Sequence, residues 1–148
     1  MSYQERKISV NMISSLLIFG GYSIYILEKY REAGESVAHD LKFWATAFLI
    51  FIPVSIVAQI LIQIIFTIIN KITTNEEQPS FLDERDKLIE LKSINISHWV
   101  FTLGFLLAMV SVVLGMSASV MFMILAASGL VSSTAHDVTS LILYRRGF

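Results

Sequence analysis

The sequence predicts an all-α, polytopic membrane protein: one transmembrane domain, residues 1–148, built as a four-helix bundle with a cytoplasmic helical extension leading into the third span. Its composition is too apolar for a soluble domain, since 55% of the residues are hydrophobic, 16% are charged and the mean hydropathy is +0.67. Four apolar runs are each long enough to cross a hydrocarbon core ~30 Å thick. They occupy about 8–27, 43–70, 94–114 and 120–144.

The first span, 8–27, is expected to stay in the protein rather than to be removed as a signal peptide. Its apolar run is longer than that of a signal peptide, and no small-residue cleavage site follows it. A polar loop over 28–42 comes next. Gly34 in this loop suits a helix C-cap, and Asp40 suits the N-cap of the second helix.

The second span, 43–70, contains Pro53 near its middle. Because proline lacks a backbone N–H and clashes with the preceding helical turn, it predicts a kink at this position. Phe43 and Trp44 begin the span, and Tyr30 precedes it in the loop. Together these three rings predict an aromatic belt at the membrane–water interface.

A charged helix over 81–93 carries seven charged residues and leads into the third span without a break. Ser80, with Asp83 three residues later, predicts a capping box at its start. The third span ends at a hairpin over 115–119, which is too short for anything but a tight turn. The fourth span follows at once.

The charged helix has two different faces. Asp83, Asp86 and Glu90 share one face, which we expect to be solvated. Arg85 extends from the opposite, apolar face. It either reaches lipid phosphates along that face or turns inward over the bundle towards Asp137.

Orientation follows from the distribution of positive charge. Of the eleven Lys and Arg residues, eight lie on the side of the membrane that holds both termini and the charged helix, and three lie on the other side. Positive loops stay on the cytoplasmic side. The sequence therefore predicts that both termini are cytoplasmic.

The third span also carries a stripe of small residues. Gly104, Ala108, Ser111 and Gly115 lie close together around the helix. Small residues allow two helix backbones to approach closely in a membrane. The stripe predicts a packing surface, either for the fourth span or for a second protomer.

Asp137 is the only acidic residue within the four spans, and His136 stands beside it. An ionisable group is costly in hydrocarbon, so its presence indicates function. Other polar residues are expected at a similar depth and complete a polar pocket open to the cytoplasm: Asn11, Gln59, Gln63, His98 and Ser133. The alternative is that these groups form interhelical hydrogen bonds that only fix the bundle.

This pocket predicts a protein that binds an ion or a small ligand, with proton-coupled transport as one form. Protonation of Asp137 and His136 would then be the switch, because burial favours a neutral carboxyl group and histidine titrates near neutrality. Four spans are few for a transport pathway. We therefore expect a homo-oligomer in the lipid bilayer.

Charged residues near the cytoplasmic surface have two interpretations. They form either the mouth of the pocket or an interaction surface: Asp83, Glu84, Arg85, Asp86, Glu90, Arg145 and Arg146. On the second interpretation the chain is a membrane-anchored regulatory protein that docks a soluble cytoplasmic partner through the helix over 81–93. Loss of function in Asp137→Asn favours the first, and sensitivity to charge swaps at Asp86 or Glu90 favours the second.

Several classes of function are excluded or unsupported. With no cysteine, the chain has no disulfide or thiolate metal site, and a net charge of −1 argues against direct nucleic-acid binding. No enzyme motif is present. A haem between His98 and His136, or a divalent cation at His136 and Asp137, lacks a supporting motif. We expect no cofactor and no metal.

The chain resembles an uncharacterised family of short bacterial four-span membrane proteins. The resemblance lies in Asp83, Glu84 and Arg85 ahead of the third span, and in the closing Tyr144, Arg145 and Arg146. It implies the bacterial cytoplasmic (inner) membrane. It also suggests a signalling or immunity role, because such proteins resemble the membrane half of a pair with a small DNA-binding regulator.

Overall fold

The structure, a computed structural model, describes residues 2–38, 41–75 and 83–147, which fold into four α-helices. All four are long and apolar enough to cross a membrane. Large apolar side chains face outward on each of them. The predicted all-helical, four-span architecture is confirmed. The helices are α1 Tyr3–Ala38, α2 Leu41–Thr74, α3 Glu84–Val113 and α4 Ala118–Arg145.

The fourth helix is the centre of the bundle. Among the described residues α4 contacts all three other helices, α1 and α2 contact each other, and α3 contacts α4 alone. The Tyr3 ring lies 5.7 Å from that of Phe66, and the Tyr144 hydroxyl donates to Asp86 at 2.8 Å. The starts of α1 and α3 and the ends of α2 and α4 therefore lie together at what we call the terminal end. The opposite end is the hairpin end.

Small residues hold α3 against α4. Gly104, Ala108 and Ser111 are buried, and a Cβ added at Gly104 would overlap the side chain of Ser128. The predicted small-residue stripe is thus confirmed as the surface that packs on the fourth span. Gly115 is outside it: this exposed residue has a φ of 80° in the turn between the helices, where glycine is favoured.

The close approach of α3 and α4 lets short hydroxyl side chains bond across the interface. Ser140 Oγ donates to Ser93 Oγ at 2.7 Å, and Ser132 Oγ donates to the Ser97 carbonyl at 2.9 Å. Such bonds between membrane helices are modest singly, but they fix which faces of the two helices meet.

The first helix extends well beyond the predicted span. It continues through the charged segment after residue 27, is interrupted at Gly34, where φ is 77°, and resumes to Ala38. The break at Gly34 coincides with the predicted cap. Most of the expected polar loop is therefore helical, because its Glu, Lys and Arg residues favour helix. The predicted N-cap Asp40 lies outside the described residues.

The described part of the charged helix begins at Glu84. Its N-cap is Asp83, whose Oδ1 accepts the Glu84 backbone N–H at 2.8 Å. Ser80, which was predicted to begin the capping box, lies outside the described residues. The uninterrupted passage of this helix into the third span is confirmed.

Trp44 lies at the hairpin end beside the two other rings of the predicted belt, 5.9 Å from Tyr30 and 5.5 Å from Phe43 between ring centres. Its indole is buried, Nε1 donates to Ser119 Oγ at 3.1 Å, and its ring stacks on Phe122 at 6.3 Å. α4 thus supplies both a hydrogen-bond acceptor and an aromatic partner, and Trp44 is buried within this cluster of rings. α2 is assigned as one helix through Pro53, whose ring is exposed.

Candidate functional site

Asp137 is the one acidic side chain that is buried in the described part of the chain, with 3% of its surface exposed. Asn11 Nδ2 donates to both of its oxygens, at 3.3 Å to Oδ1 and 3.1 Å to Oδ2. His136 Nδ1 lies 3.1 Å from Oδ1. Burial of a carboxylate is costly unless donors compensate it. Here α1 and α4 both supply them.

His136 connects this buried acid to the surface. Its Nε2 lies 3.5 Å from Glu90 Oε1 on α3, so each ring nitrogen faces a carboxylate. The exposed fraction of the side chains falls from 60% at Glu90 through 26% at His136 to 4% at Asp137. Glu90, His136, Asp137 and Asn11, which we call the acid–histidine chain, thus lead from the terminal end into the bundle.

A second set of hydrogen bonds continues from Asn11 to α2. Ser14 Oγ lies 3.0 Å from the Asn11 carbonyl and 3.2 Å from Gln59 Oε1, and it donates its one proton to either. Gln59 Nε2 donates to Ser15 Oγ at 2.7 Å. These bonds tie α1 to α2 and bring the polar path to a neighbouring cavity.

That cavity is a groove of about 690 Å³ between α1, α2 and α4. Ser15, Gln59 and Ser133 are among its lining residues, whereas Asp137 and His136 are not. The site predicted from the sequence is therefore two adjoining features. Around Asp137 the space is filled by its hydrogen-bond partners, and the open volume lies beside it.

His98 does not join the site. It is exposed on the outer face of α3, since the adjacent Ser97 occupies the position facing α4, with its Oγ 2.8 Å from Ser132 Oγ. Gln63 lies one helical turn beyond Gln59. Its Oε1 is buried and has no hydrogen-bond partner among the described residues.

The acidic face of the charged helix is solvated at Asp83 and Glu90, as expected, but it also contacts α4. Asp86 accepts from the Tyr144 hydroxyl, and Glu90 faces His136. Their positions share one helix face with Ser93, which bonds to α4 as well. Arg85 Nη2 donates to the Tyr144 carbonyl at 3.3 Å, with the guanidinium 5.8 Å from the ring centre. Arg85 therefore binds the end of α4 and does not reach Asp137.

The other charged residues predicted near the mouth lie at helix ends. Arg145 Nε is 4.0 Å from Glu5 Oε1, and Arg146 is the exposed C-cap of α4. Asp83 and Glu84 are exposed at the start of α3. These residues surround the terminal end without closing over the groove.

Sequence reasoning missed the serines that bind α3 to α4, choosing Ser133 and His98 rather than their neighbours Ser132 and Ser97. A signal was present. Ser93, Ser97 and Gly104 recur at spacings of four and seven residues, which place them on one helix face. Hydroxyl and small side chains in that pattern indicate an interhelical seam.

Metal binding has no support in the described residues, which contain no group of three His, Asp or Glu side chains suited to one ion. A histidine with a carboxylate at each nitrogen can take a proton on one side and release one on the other, so the geometry of the acid–histidine chain permits proton transfer.

Fold and site together define a small four-span membrane protein in which a chain of acid–histidine contacts runs inward from one end of the bundle. No family model, curated protein or solved structure matches the chain significantly.

Proposed function

We propose that the protein resides in the bacterial cytoplasmic membrane with both termini in the cytoplasm, and that it binds a proton in the acid–histidine chain. The charge state of Asp137 then controls binding of a small ligand, or its proton-coupled transport, at the adjoining groove. The observation that carries this proposal is the continuous contact from exposed Glu90 through His136 to buried Asp137.

One proton enters this chain at His136 Nε2 and one leaves His136 from Nδ1. In the neutral tautomer that donates Nδ1–H to Asp137, the Nε2 atom of His136 faces Glu90 and accepts a proton from that side. The imidazolium then releases its Nδ1 proton to Asp137 Oδ1. The products are a neutral carboxyl group and a neutral imidazole protonated at Nε2.

Neutralising Asp137 changes its bonds to α1. A carboxylate accepts both contacts from Asn11, whereas a carboxylic acid has an O–H donor of its own and fewer acceptor sites. Ser14 Oγ lies within reach of the Asn11 backbone carbonyl and of Gln59 Oε1 beside the groove, and its one proton bonds to either of them. We infer that a shift of Asn11 with α1 carries the charge state of Asp137 to the groove.

Infrared difference spectroscopy of the protein in lipid nanodiscs, titrated with acid, tests the proposal. We expect a protonated-carboxyl band that is absent in Asp137→Asn, and whose midpoint moves in Glu90→Gln. Lys87→Gln, an exposed change in the same helix, is the control. A carboxyl band that is the same in wild type and Asp137→Asn contradicts the proposal.

A regulatory role is the second candidate. It is supported by the exposed Glu84 and Lys87 on α3, the helix that has α4 as its one described helix partner. On this reading a charge swap such as Glu84→Lys abolishes function in cells while Asp137→Asn is tolerated. Proton binding predicts the reverse order.

A further inference from the structure

We propose that the groove between α1, α2 and α4 binds a neutral, single-chain amphiphile from the bilayer: a long hydrocarbon chain ending in a hydroxyl or carbonyl oxygen. Its volume of about 690 Å³ is within the ~300–1,000 Å³ typical of ligand sites. Binding of the amphiphile does not require proton uptake. Only the effect of pH on that binding rests on the proposed function.

The walls of the groove suit a hydrocarbon chain. Four apolar residues of α2 line the groove, and three of them are aromatic. α1, α3 and α4 add further apolar side chains. The aromatic residues in the walls include Phe19, Phe48, Phe51 and Phe101. Gly129 of α4 also lines the groove, with nothing within 4 Å of where its Cβ would be. The groove therefore has open space against a bare stretch of backbone.

The two ends of the groove differ in polarity. Towards the hairpin end lie Trp44 and Tyr22, whose polar atoms already donate to Ser119 and to the Ala47 carbonyl, together with a single further hydroxyl, that of Ser23. Towards the terminal end lie Gln59 and Ser15. A molecule that is apolar along its length and polar at one end matches this arrangement.

The polar end selects the head group. The lining residues include no Lys, Arg, His, Asp or Glu, and a charge buried without a partner is costly. Ser15 Oγ accepts from Gln59 and keeps its own proton to donate, and Ser133 supplies a second hydroxyl. These donors fit an uncharged oxygen acceptor, and no cation among the lining residues would compensate an anion.

Hydrocarbon rather than water fills such a space. Apolar cavities stay dry, and side chains facing a void lose their dispersion contacts. An ordinary phospholipid tail is the competitor for the groove. It lacks an oxygen at the depth of Ser15 and Gln59, so head-group selectivity distinguishes the two occupants.

Quenching of Trp44 fluorescence by dibromostearyl alcohol tests the proposal. The protein has two tryptophans, so a Trp99→Phe background makes Trp44 the sole indole. In nanodiscs we expect saturable quenching by the alcohol. Gly129→Leu should weaken it on the order of tenfold, because the side chain displaces methylene groups of the ligand. Gly21→Leu, which also meets open space but lies outside the groove, should leave it unchanged.

Head-group recognition gives a second readout. Ser15→Ala with Ser133→Ala should weaken the alcohol about fivefold, the effect of one lost hydrogen bond, and dibromostearate should bind more weakly than the alcohol. The proposal is overturned if dibrominated phosphatidylcholine quenches Trp44 as strongly as the alcohol does, without saturation and with no effect of Gly129→Leu. If the alcohol binds saturably and equally well to the wild type and to Asp137→Asn, the binding site is supported. The same result overturns the coupling between amphiphile binding and protonation of Asp137.

Discussion

Asn11 of α1 donates to both carboxylate oxygens of Asp137 of α4, at 3.3 and 3.1 Å, across 126 residues of sequence. The contact between these helices thus depends on a group whose charge can change. A bidentate amide contact is complete only while Asp137 is ionised. The same pair is therefore both a structural tie and the innermost part of the acid–histidine chain.

Asn11→Ala tests the structural part of that tie. Without the amide, Asp137 keeps its contact with His136 but loses the hydrogen-bond donor from α1. We therefore expect the free energy of unfolding to fall by about 1–3 kcal/mol. Asn95→Ala, which changes an exposed asparagine on α3, is the matched control. Chemical unfolding in nanodiscs measures both, and equal stability of the two variants would refute the tie.

Substitutions of His136 and His98 should have sharply different effects on the acid titration of the carboxyl band. His136→Gln removes the group that connects Glu90 to Asp137, so we expect the protonated-carboxyl band to appear far more slowly or at a different pH. His98→Gln should titrate like the wild type, because His98 is exposed on the outer face of α3. The infrared measurement on both variants decides, and an equal effect would place His98 back in the site.

Gly104→Ala should separate α3 from α4. Its new Cβ overlaps Ser128, and we expect a loss of about 1–3 kcal/mol of stability, typical of overpacking. Gly20→Ala meets open space and should be neutral or nearly so. Adding Ser128→Gly to the first variant should restore most of the loss; failure of that rescue argues against the clash.

Tyr144→Phe should weaken the terminal end of the α3–α4 pair. It removes the 2.8 Å bond to Asp86, and we expect a cost of about 1–2 kcal/mol. A double-mutant cycle with Asp86→Ala isolates the pair. Tyr30→Phe, whose hydroxyl makes no hydrogen bond to the described residues, is the control. Additive effects in the cycle would show that the two residues are not coupled.

The four spans and the unusual position of Asp137 within the fourth were predictable from the sequence, because the bilayer sets helix length and penalises a buried acid. The rotation of each helix about its axis was not. Lipid and bundle interior are both apolar, so hydrophobicity does not separate the two faces. Packing of Gly104 on Ser128 instead fixes α3, and that rotation turns Ser97 inward and His98 outward.

The arrangement of Asp86 and Arg85 escaped prediction for a related reason. A helical wheel shows that Asp86 and Glu90 share a face, but solvent and a polar neighbour are equally good partners for an acid. Only the position of Tyr144 and His136 on α4 decides between them. Asp83 and Glu90 are exposed, as expected, whereas the half-buried Asp86 bonds to α4, because α4 reaches as far as the charged segment.

The central place of α4 has a consequence for biosynthesis. It is the last of the four helices to leave the ribosome, yet Asn11, Ser93 and Trp44 all find their bonding partners on it. Until it inserts, α3 has no neighbouring helix among the described residues. A nascent chain stopped before residue 118 would therefore hold a third span with no helix partner, so the assembly of this bundle waits for the last helix to insert.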